Sequence, residues 1–200
     1  MKKVLTVASL CLLAGCASFK PTYDVVEASE DSAPKWIRQE KAAKIDSSSE
    51  AKEYRYFVDE AENVNKRLCL KSAETRATQK VAGEIAQELV GKYAEMTKSE
   101  DEQALAKMKE ELKQNIQVNL HGVTVAGKYY EKRAYKVEKG APKNYETYKC
   151  DANVKMKKTD LAAAIEAYKA KTLADLKNSD KKAMEAAADS LLADLKAVEE

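Results

Sequence analysis

The chain has 200 residues, of which 35 are basic, 33 are acidic and one is histidine. A nucleic-acid-binding protein carries a one-sided basic excess, so this balance argues against that class. The length allows one domain with a core of its own, with or without an appendage.

The first fifteen residues have the features of a secretory signal peptide. A charged start precedes an apolar run over residues 4–13, which ends in Leu13-Ala14-Gly15-Cys16. The run is too short for a membrane-spanning helix, which needs roughly 20 residues. The sequence therefore predicts export of the chain and removal of residues 1–15.

The box Leu13-Ala14-Gly15-Cys16 resembles that of bacterial lipoproteins. This resemblance implies a diacylglycerol on the Cys16 thiol, cleavage before Cys16 and acylation of its new amine, for example with palmitate. Three acyl chains anchor firmly, because each buried CH₂ contributes about 0.8 kcal/mol. Ala17 resembles the outer-membrane sorting pattern, so we expect an outer-membrane lipoprotein that faces the periplasm. The alternative is an ordinary apolar N-terminus with an incidental cysteine.

Two cysteines remain for the folded chain. Cys11 leaves with the signal peptide and Cys16 carries lipid, which leaves Cys69 and Cys150. The oxidising compartment of an exported chain favours a disulfide between them, with two buried thiols or an intermolecular bond as alternatives. Together with the single His121 they lack the ligand spacing of a zinc site. We therefore predict no metal and no cofactor.

Residues 16–49 are predicted to be a lipidated, flexible tether. They contain prolines, scattered acidic residues and three consecutive serines, with little apolar periodicity. Pro34-Lys35-Trp36-Ile37 interrupts this pattern with the only tryptophan of the chain. Trp36 and Ile37 either dock the segment onto the domain, which we favour, or contact a partner.

Residues 50–170 are predicted to be a folded domain. Tyr54–Val58 is rich in aromatic and β-branched residues, as strands are. A helix over about residues 64–96 has apolar and small residues every three or four positions, which favours close packing on a sheet. Ser99-Glu100-Asp101-Glu102 has the spacing of a capping box and predicts the start of a second helix.

The last strands are indicated by alternation. Apolar and polar residues alternate after residue 116, and residues 129–137 extend this strand region. The alternation over residues 148–156 places Cys150 on the inward face. The predicted fold class is α+β, with a small antiparallel sheet of about three strands packed on a long Ala-rich helix.

Residues 171–200 are predicted to be a C-terminal helical extension. Their apolar residues follow the 4-3-4-3 spacing of a coiled-coil seam, at Met184, Ala188, Leu191, Leu195 and Val198. The extension either forms a coiled coil or folds back on the domain, which we favour.

The order of elements resembles the Helicobacter-type Lpp-twenty and FlgP-like family of bacterial lipoproteins over roughly residues 34–169. The matching residues are Pro34, Trp36, Tyr54–Val58, Ala61, Thr75-Arg76-Ala77, Val81-Ala82-x-x-Ile85-Ala86, Leu120-x-Gly122-Val123 and Val154-x-Met156-Lys157-Lys158-x-Asp160-Leu161. The resemblance implies a compact strand–helix–strand–strand domain on the outer membrane, in proteins with structural roles in the envelope or the flagellum.

No catalytic residue is predicted. A catalytic triad would need His121, which lies in a strand pattern, and the acidic residues alternate with lysines as on solvated helix faces. We therefore predict a non-enzymatic outer-membrane lipoprotein with a structural or partner-binding role, through self-association or envelope and flagellar proteins. One alternative is a small-ligand or peptidoglycan-binding periplasmic module with a pocket between sheet and long helix. A hydrolase that uses His121 is another.

Overall fold

The computed structural model describes residues 21–38, 52–172 and 178–197. The predicted signal peptide, the lipid-anchor residue Cys16 and residues 39–51 lie outside the described residues. The elements in chain order are β1 Tyr23–Ala28, α1 Lys35–Arg38, β2 Tyr54–Asn63, α2 Lys66–Thr97, α3 Glu102–Asn119, β3 Thr124–Tyr135, a 3₁₀ turn Val137–Lys139, β4 Tyr145–Lys157, α4 Lys158–Thr172 and α5 Asn178–Ala197.

The fold is α+β, as predicted, with a four-stranded antiparallel sheet packed against helices. The strand order is β1-β3-β4-β2. β3 and β4 form a long hairpin that closes at the pair Tyr135–Tyr145. β2 pairs with β4 along its full length, from Tyr54 opposite Lys157 to Asn63 opposite Tyr148.

β1 lies inside residues 16–49, where the sequence predicts a flexible tether. It adds a fourth strand to the three predicted, because it pairs antiparallel with the C-terminal half of β3. A bulge between Val25 and Glu27 interrupts its alternation, and both Val25 and Val26 are exposed. The strand is held by side chains from distant parts of the chain, since Lys66 Nζ of α2 lies 2.9 Å from Glu27 Oε1. Local periodicity carries no trace of such a contact.

α2 packs on the face of the sheet that we call the inner face, which carries Cys150, Ala152, Val154 and Met156 of β4. Ala73 and Ala77 of α2 are fully buried against the sheet, because small side chains let the helix approach closely. The structure joins the predicted cysteine pair, with the Cα atoms of Cys69 and Cys150 5.7 Å apart.

The remaining helices surround α2 and complete the core. Their fully or almost fully buried side chains are Leu112 and Ile116 of α3, Leu161, Ile165 and Tyr168 of α4, and Met184, Ala188 and Leu191 of α5. α5 folds back on the domain, with Lys92 Nζ 2.8 Å from Asp194 Oδ2. No helix within the described ranges is long and apolar enough to cross a bilayer.

Helix α3 begins two residues later than the capping box suggests. Asp101 is the N-cap, and its Oδ1 accepts a hydrogen bond from Ala104 N at 3.0 Å. The Ser99 and Glu102 positions therefore flank the cap instead of forming it. Asp suits this position because its short carboxylate accepts a hydrogen bond from a free N–H group and is stabilised by the positive end of the helix dipole.

Side chains from α2 protect the open edge of β2. Lys80 Nζ donates to the carbonyl oxygen of Val58 at 2.7 Å, and Arg76 donates to that of Glu60 at 3.1 Å. An exposed strand edge invites pairing with another chain, and charged side chains placed on it prevent this. Edge-to-edge association through β2 is thus disfavoured.

Candidate functional site

The candidate site is the face of the sheet opposite α2, which we call the outer face. It carries every second side chain of the strands, namely Tyr23, Tyr56, Val58, Glu60, Tyr129, Glu131, Arg133, Tyr135, Tyr145, Thr147, Lys149, Asp151 and Asn153. Three polar residues at its centre are buried, with exposed fractions of 7% for Thr147, 5% for Asp151 and 4% for Asn153. Polar side chains are seldom buried this far, so the centre of this face requires explanation.

Asp151 and Asn153, two residues apart on β4, form what we call the acceptor pair. Burial raises the pKa of the Asp151 carboxyl from its ordinary 3.8 to about 6, against the opposing charge of Lys149. Asn153 Oδ1 is buried and has no hydrogen-bond partner among the described residues. A buried acceptor without a donor costs about 1–3 kcal/mol. A ligand that donates N–H or O–H groups would satisfy this acceptor once the side chains that cover it move aside.

The neighbouring polar side chains on β3 satisfy one another. Tyr129 donates its hydroxyl to Glu131 Oε1 at 3.1 Å. Arg133 donates to Glu131 Oε2 through Nε at 2.9 Å and through a terminal nitrogen at 2.8 Å. Burial and the adjacent Glu131 raise the pKa of Tyr129 to about 12, so its hydroxyl keeps its proton. These contacts join Tyr129, Glu131 and Arg133 into one group along β3.

Trp36 lies over the outer face beside the acceptor pair. Gly127 pairs with Asn153 in the β3–β4 ladder, and a Cβ on Gly127 would lie 3.5 Å from Trp36 Cζ2. A Cβ there would make an ordinary contact with the indole ring, whereas a larger side chain would displace it, so this position requires a small residue. Trp36 and Ile37 are half-buried. This placement of Trp36 supports the docking interpretation that we favour.

Three tyrosines form an aromatic row at the hairpin side of the outer face. The rings of Tyr135 and Tyr145 are stacked with centroids 4.5 Å apart, and Tyr23 follows at 5.2 Å from Tyr135. The Arg133 guanidinium lies 4.3 Å from the centroid of the Tyr23 ring. Flat aromatic surfaces of this kind contact apolar faces of ligands and are enriched at protein interfaces.

The other residues singled out in the sequence lie away from this face. Cys69 and Cys150 are buried on the inner side, where the exposed fraction of each is 0%. His121 is exposed in the connection between α3 and β3. Among the described residues there is no group of three His, Cys, Asp or Glu side chains that fits a metal ion.

The space between α2 and the sheet, where the ligand-binding hypothesis places a pocket, is filled. Phe57, Val81, Ile85 and Val154 occupy it with exposed fractions of 0–1%. A surface groove of about 460 Å³ lies further out, lined by charged residues of α2 and α3 such as Lys80, Glu84, Lys109 and Lys113. The acceptor pair makes the outer face the better place for a ligand.

Comparison with known proteins yields no match, either to a family model or to a curated protein. The resemblance to Lpp-twenty and FlgP-like lipoproteins therefore stays a prediction. The features of the chain that bear on function are the outer face and the residues that surround it.

Proposed function

We propose that the chain is a non-enzymatic lipoprotein of the bacterial outer membrane, anchored at Cys16, whose outer face binds an envelope partner. The observation that supports this proposal is the difference between the two faces of the sheet. Helices α2–α5 pack on or around the inner side, while the outer face presents stacked tyrosines and the acceptor pair. The family resemblance favours a second copy of the chain or a protein of the envelope or flagellum as partner.

The composition of the outer face supports binding. Tyrosine, tryptophan and arginine supply most of the energy at protein interfaces, and all three meet on this face. Lys149 Nζ lies 2.7 Å from Glu60 Oε2 at its rim, so the rim carries paired charge. A partner can cover the aromatic row, and its hydrogen-bond donors reach Asp151 and Asn153 only if the side chains that bury this pair move aside.

Site-specific photo-crosslinking of the full chain in the native envelope tests this proposal. A photoreactive phenylalanine replaces Glu60 on the outer face, and Lys107 on α3 serves as the matched control. Both side chains are well exposed, at 61% and 80%. We expect a discrete adduct from position 60 and none from position 107. Equal adducts from both positions, or none from either, would refute a binding role for this face.

The alternative function is recognition of a small ligand or peptidoglycan, and the acceptor pair is the observation that favours it. Sugar hydroxyls and amides donate hydrogen bonds, while the apolar faces of sugar rings stack on aromatic side chains. Tyr129 is buried, so the half-buried Trp36 beside the pair is the aromatic side chain on which a sugar ring would stack.

Calorimetric titration with soluble peptidoglycan fragments tests the alternative. Asp151→Asn replaces a charged acceptor and should weaken binding about tenfold, which corresponds to about 1.4 kcal/mol. Asp31→Asn, at an exposed bend, is the control and should bind like the wild type. Wild-type protein that does not bind, or equal affinity of the Asp151 variant, would remove this alternative.

A further inference from the structure

The domain has two distinct ends along its strands. One end, which we call the hairpin end, contains the first residue of β1, the β3–β4 turn and the start of α2. The register fixes this, since Tyr23, Tyr135 and Tyr145 are consecutive neighbours across the sheet. β2 finishes at Asn63 opposite Tyr148, so the start of α2 lies at the same end. The opposite end holds the start of β3 and the end of α3.

Large apolar side chains are exposed at the hairpin end. The exposed fractions are 78% for Val64, 56% for Leu68, 55% for Val137 and 40% for Tyr145. They belong to three separate parts of the chain, the β2–α2 connection with the first turn of α2, the 3₁₀ turn and the start of β4. Several exposed apolar groups at one end of a domain mark a contact surface.

Basic residues accompany these apolar side chains. Arg67 and Lys143 are exposed there. Lys136 Nζ lies 3.0 Å from Asp24 Oδ2 and 3.8 Å from Glu138 Oε1, and Lys139 pairs with Asp24, so these two lysines are paired with acids within the domain. Glu138 is an exposed acid at the tip. Arg67 and Lys143 remain as the cations available to an external anion.

The distance from the lipid-anchor position to this end is short. Tyr23, the first residue of β1, follows Cys16 by seven residues, which span at most about 25 Å. β3 then extends a further eleven residues from Tyr135 to Thr124, or roughly 35 Å, toward the opposite end. A chain anchored at Cys16 therefore holds its hairpin end beside the bilayer.

We infer that the hairpin end contacts the headgroup layer of the membrane that carries the lipid anchor. This inference rests on the proposed lipidation of Cys16. Val64, Leu68 and Val137 enter the interfacial layer, and Tyr145 takes the headgroup level that amphipathic aromatic rings prefer. Arg67 and Lys143 face the lipid phosphates. The outer face then stands perpendicular to the bilayer and is open to a partner from the side.

Depth-dependent fluorescence quenching tests the inference on the lipidated full chain. The protein is reconstituted in vesicles of phosphatidylethanolamine and phosphatidylglycerol that contain lipids brominated near the headgroup. Val137→Trp reports on the hairpin end, and Val118→Trp, which is 72% exposed near the end of α3, is the matched control. Both are made in a Trp36→Phe background. If that background is unstable, Trp36 is kept and the wild-type signal is subtracted.

The expected result is a loss of roughly half the emission of Val137→Trp, because interfacial apolar groups insert about 5–10 Å into the boundary between headgroups and acyl chains, close to the bromine atoms. Val118→Trp should keep its emission. Lack of quenching in both variants, or equal quenching in both, would overturn the inference. Flotation of the vesicles distinguishes failure of this inference from failure of the proposed function. Protein that does not float with the vesicles is not anchored, which contradicts the proposed function. Protein that floats without quenching is anchored, but its hairpin end does not contact the bilayer.

Discussion

Replacing Asp151 with Asn should stabilise the domain at neutral pH. The carboxyl is 5% exposed, and burial raises its pKa from 3.8 to about 6. Because the folded state holds the proton more tightly than the unfolded state, ionisation opposes folding. At about 1.4 kcal/mol per pKa unit the upper bound is about 3 kcal/mol. Partial screening of the Asp151 charge, by solvent and by Lys149, reduces the expected gain to about 1–2 kcal/mol.

The stability difference between Asp151→Asn and the wild type should increase with pH. Below pH 3.8 the carboxyl is protonated in both states, so the variant and the wild type should be equally stable. The advantage of Asp151→Asn should grow as the pH rises from 3.8 to about 6 and stay constant above. An amide keeps the shape of the side chain, so packing changes little.

Urea unfolding at pH 3.5 and pH 7.5 measures the effect. Asp31→Asn, an exposed carboxylate, is the control and should change the free energy of unfolding by less than about 0.5 kcal/mol at either pH. A variant that is destabilised at pH 7.5, or that shows the same difference at both pH values, would refute the reasoning. A stability gain would identify Asp151 as a residue kept at a cost, as binding sites often are.

Three further predictions concern other parts of the fold. Reduction of Cys69–Cys150, which joins residues 81 apart, should lower the free energy of unfolding by about 4–5 kcal/mol, and an unchanged melting temperature with fully reduced thiols would contradict this. Gly127→Leu should displace Trp36 and shift its fluorescence emission to the red. Gly127→Ala, whose Cβ would lie an ordinary 3.5 Å from the ring, should leave the spectrum unchanged. Equal emission spectra of the two variants would show that Trp36 does not lie over residue 127. The double variant Arg76→Ala, Lys80→Ala should expose the edge of β2 and increase self-association, as measured by light scattering. Lys107→Ala is the control. A double variant that stays monomeric would show that these two side chains do not protect the edge.

The inner side of the domain follows well from the sequence. Strict alternation over residues 148–156 gives β4 and places Cys150 inward. The small residues of the long helix predict that it approaches the sheet closely, and Ala73 and Ala77 do so. These features depend on local periodicity, which a single sequence records directly.

The outer face and β1 depend on contacts between distant residues. Alternation indicates that Asp151 and Asn153 point outward, where a polar residue is expected to be solvated. Their burial comes from neighbours in other elements, such as Tyr129 on β3. The bulge in β1 interrupts the alternation that would predict a strand, and Lys66 of α2 holds the strand through its ion pair with Glu27. No periodicity within either segment reports these contacts.

The position of β1 changes how the anchor acts. A tether of 34 residues would let the domain move far from the membrane, whereas β1 leaves six residues between Cys16 and the sheet. If the chain is anchored at Cys16 as we propose, the aromatic row and the hairpin end lie near the bilayer, and a partner meets the outer face there. The short link would then couple the proposed anchor to the orientation of the proposed binding surface.

The most direct test is the state of Cys16 in the native envelope. The N-terminal peptide of the protein is isolated from density-separated membranes and its mass is measured, with Cys16→Ser as the control. We predict a chain that begins at a triacylated Cys16 in the outer-membrane fraction, and a Cys16→Ser protein that is absent from it. An uncut chain that retains residues 1–15, or a soluble protein with a free Cys16 thiol, would contradict the account.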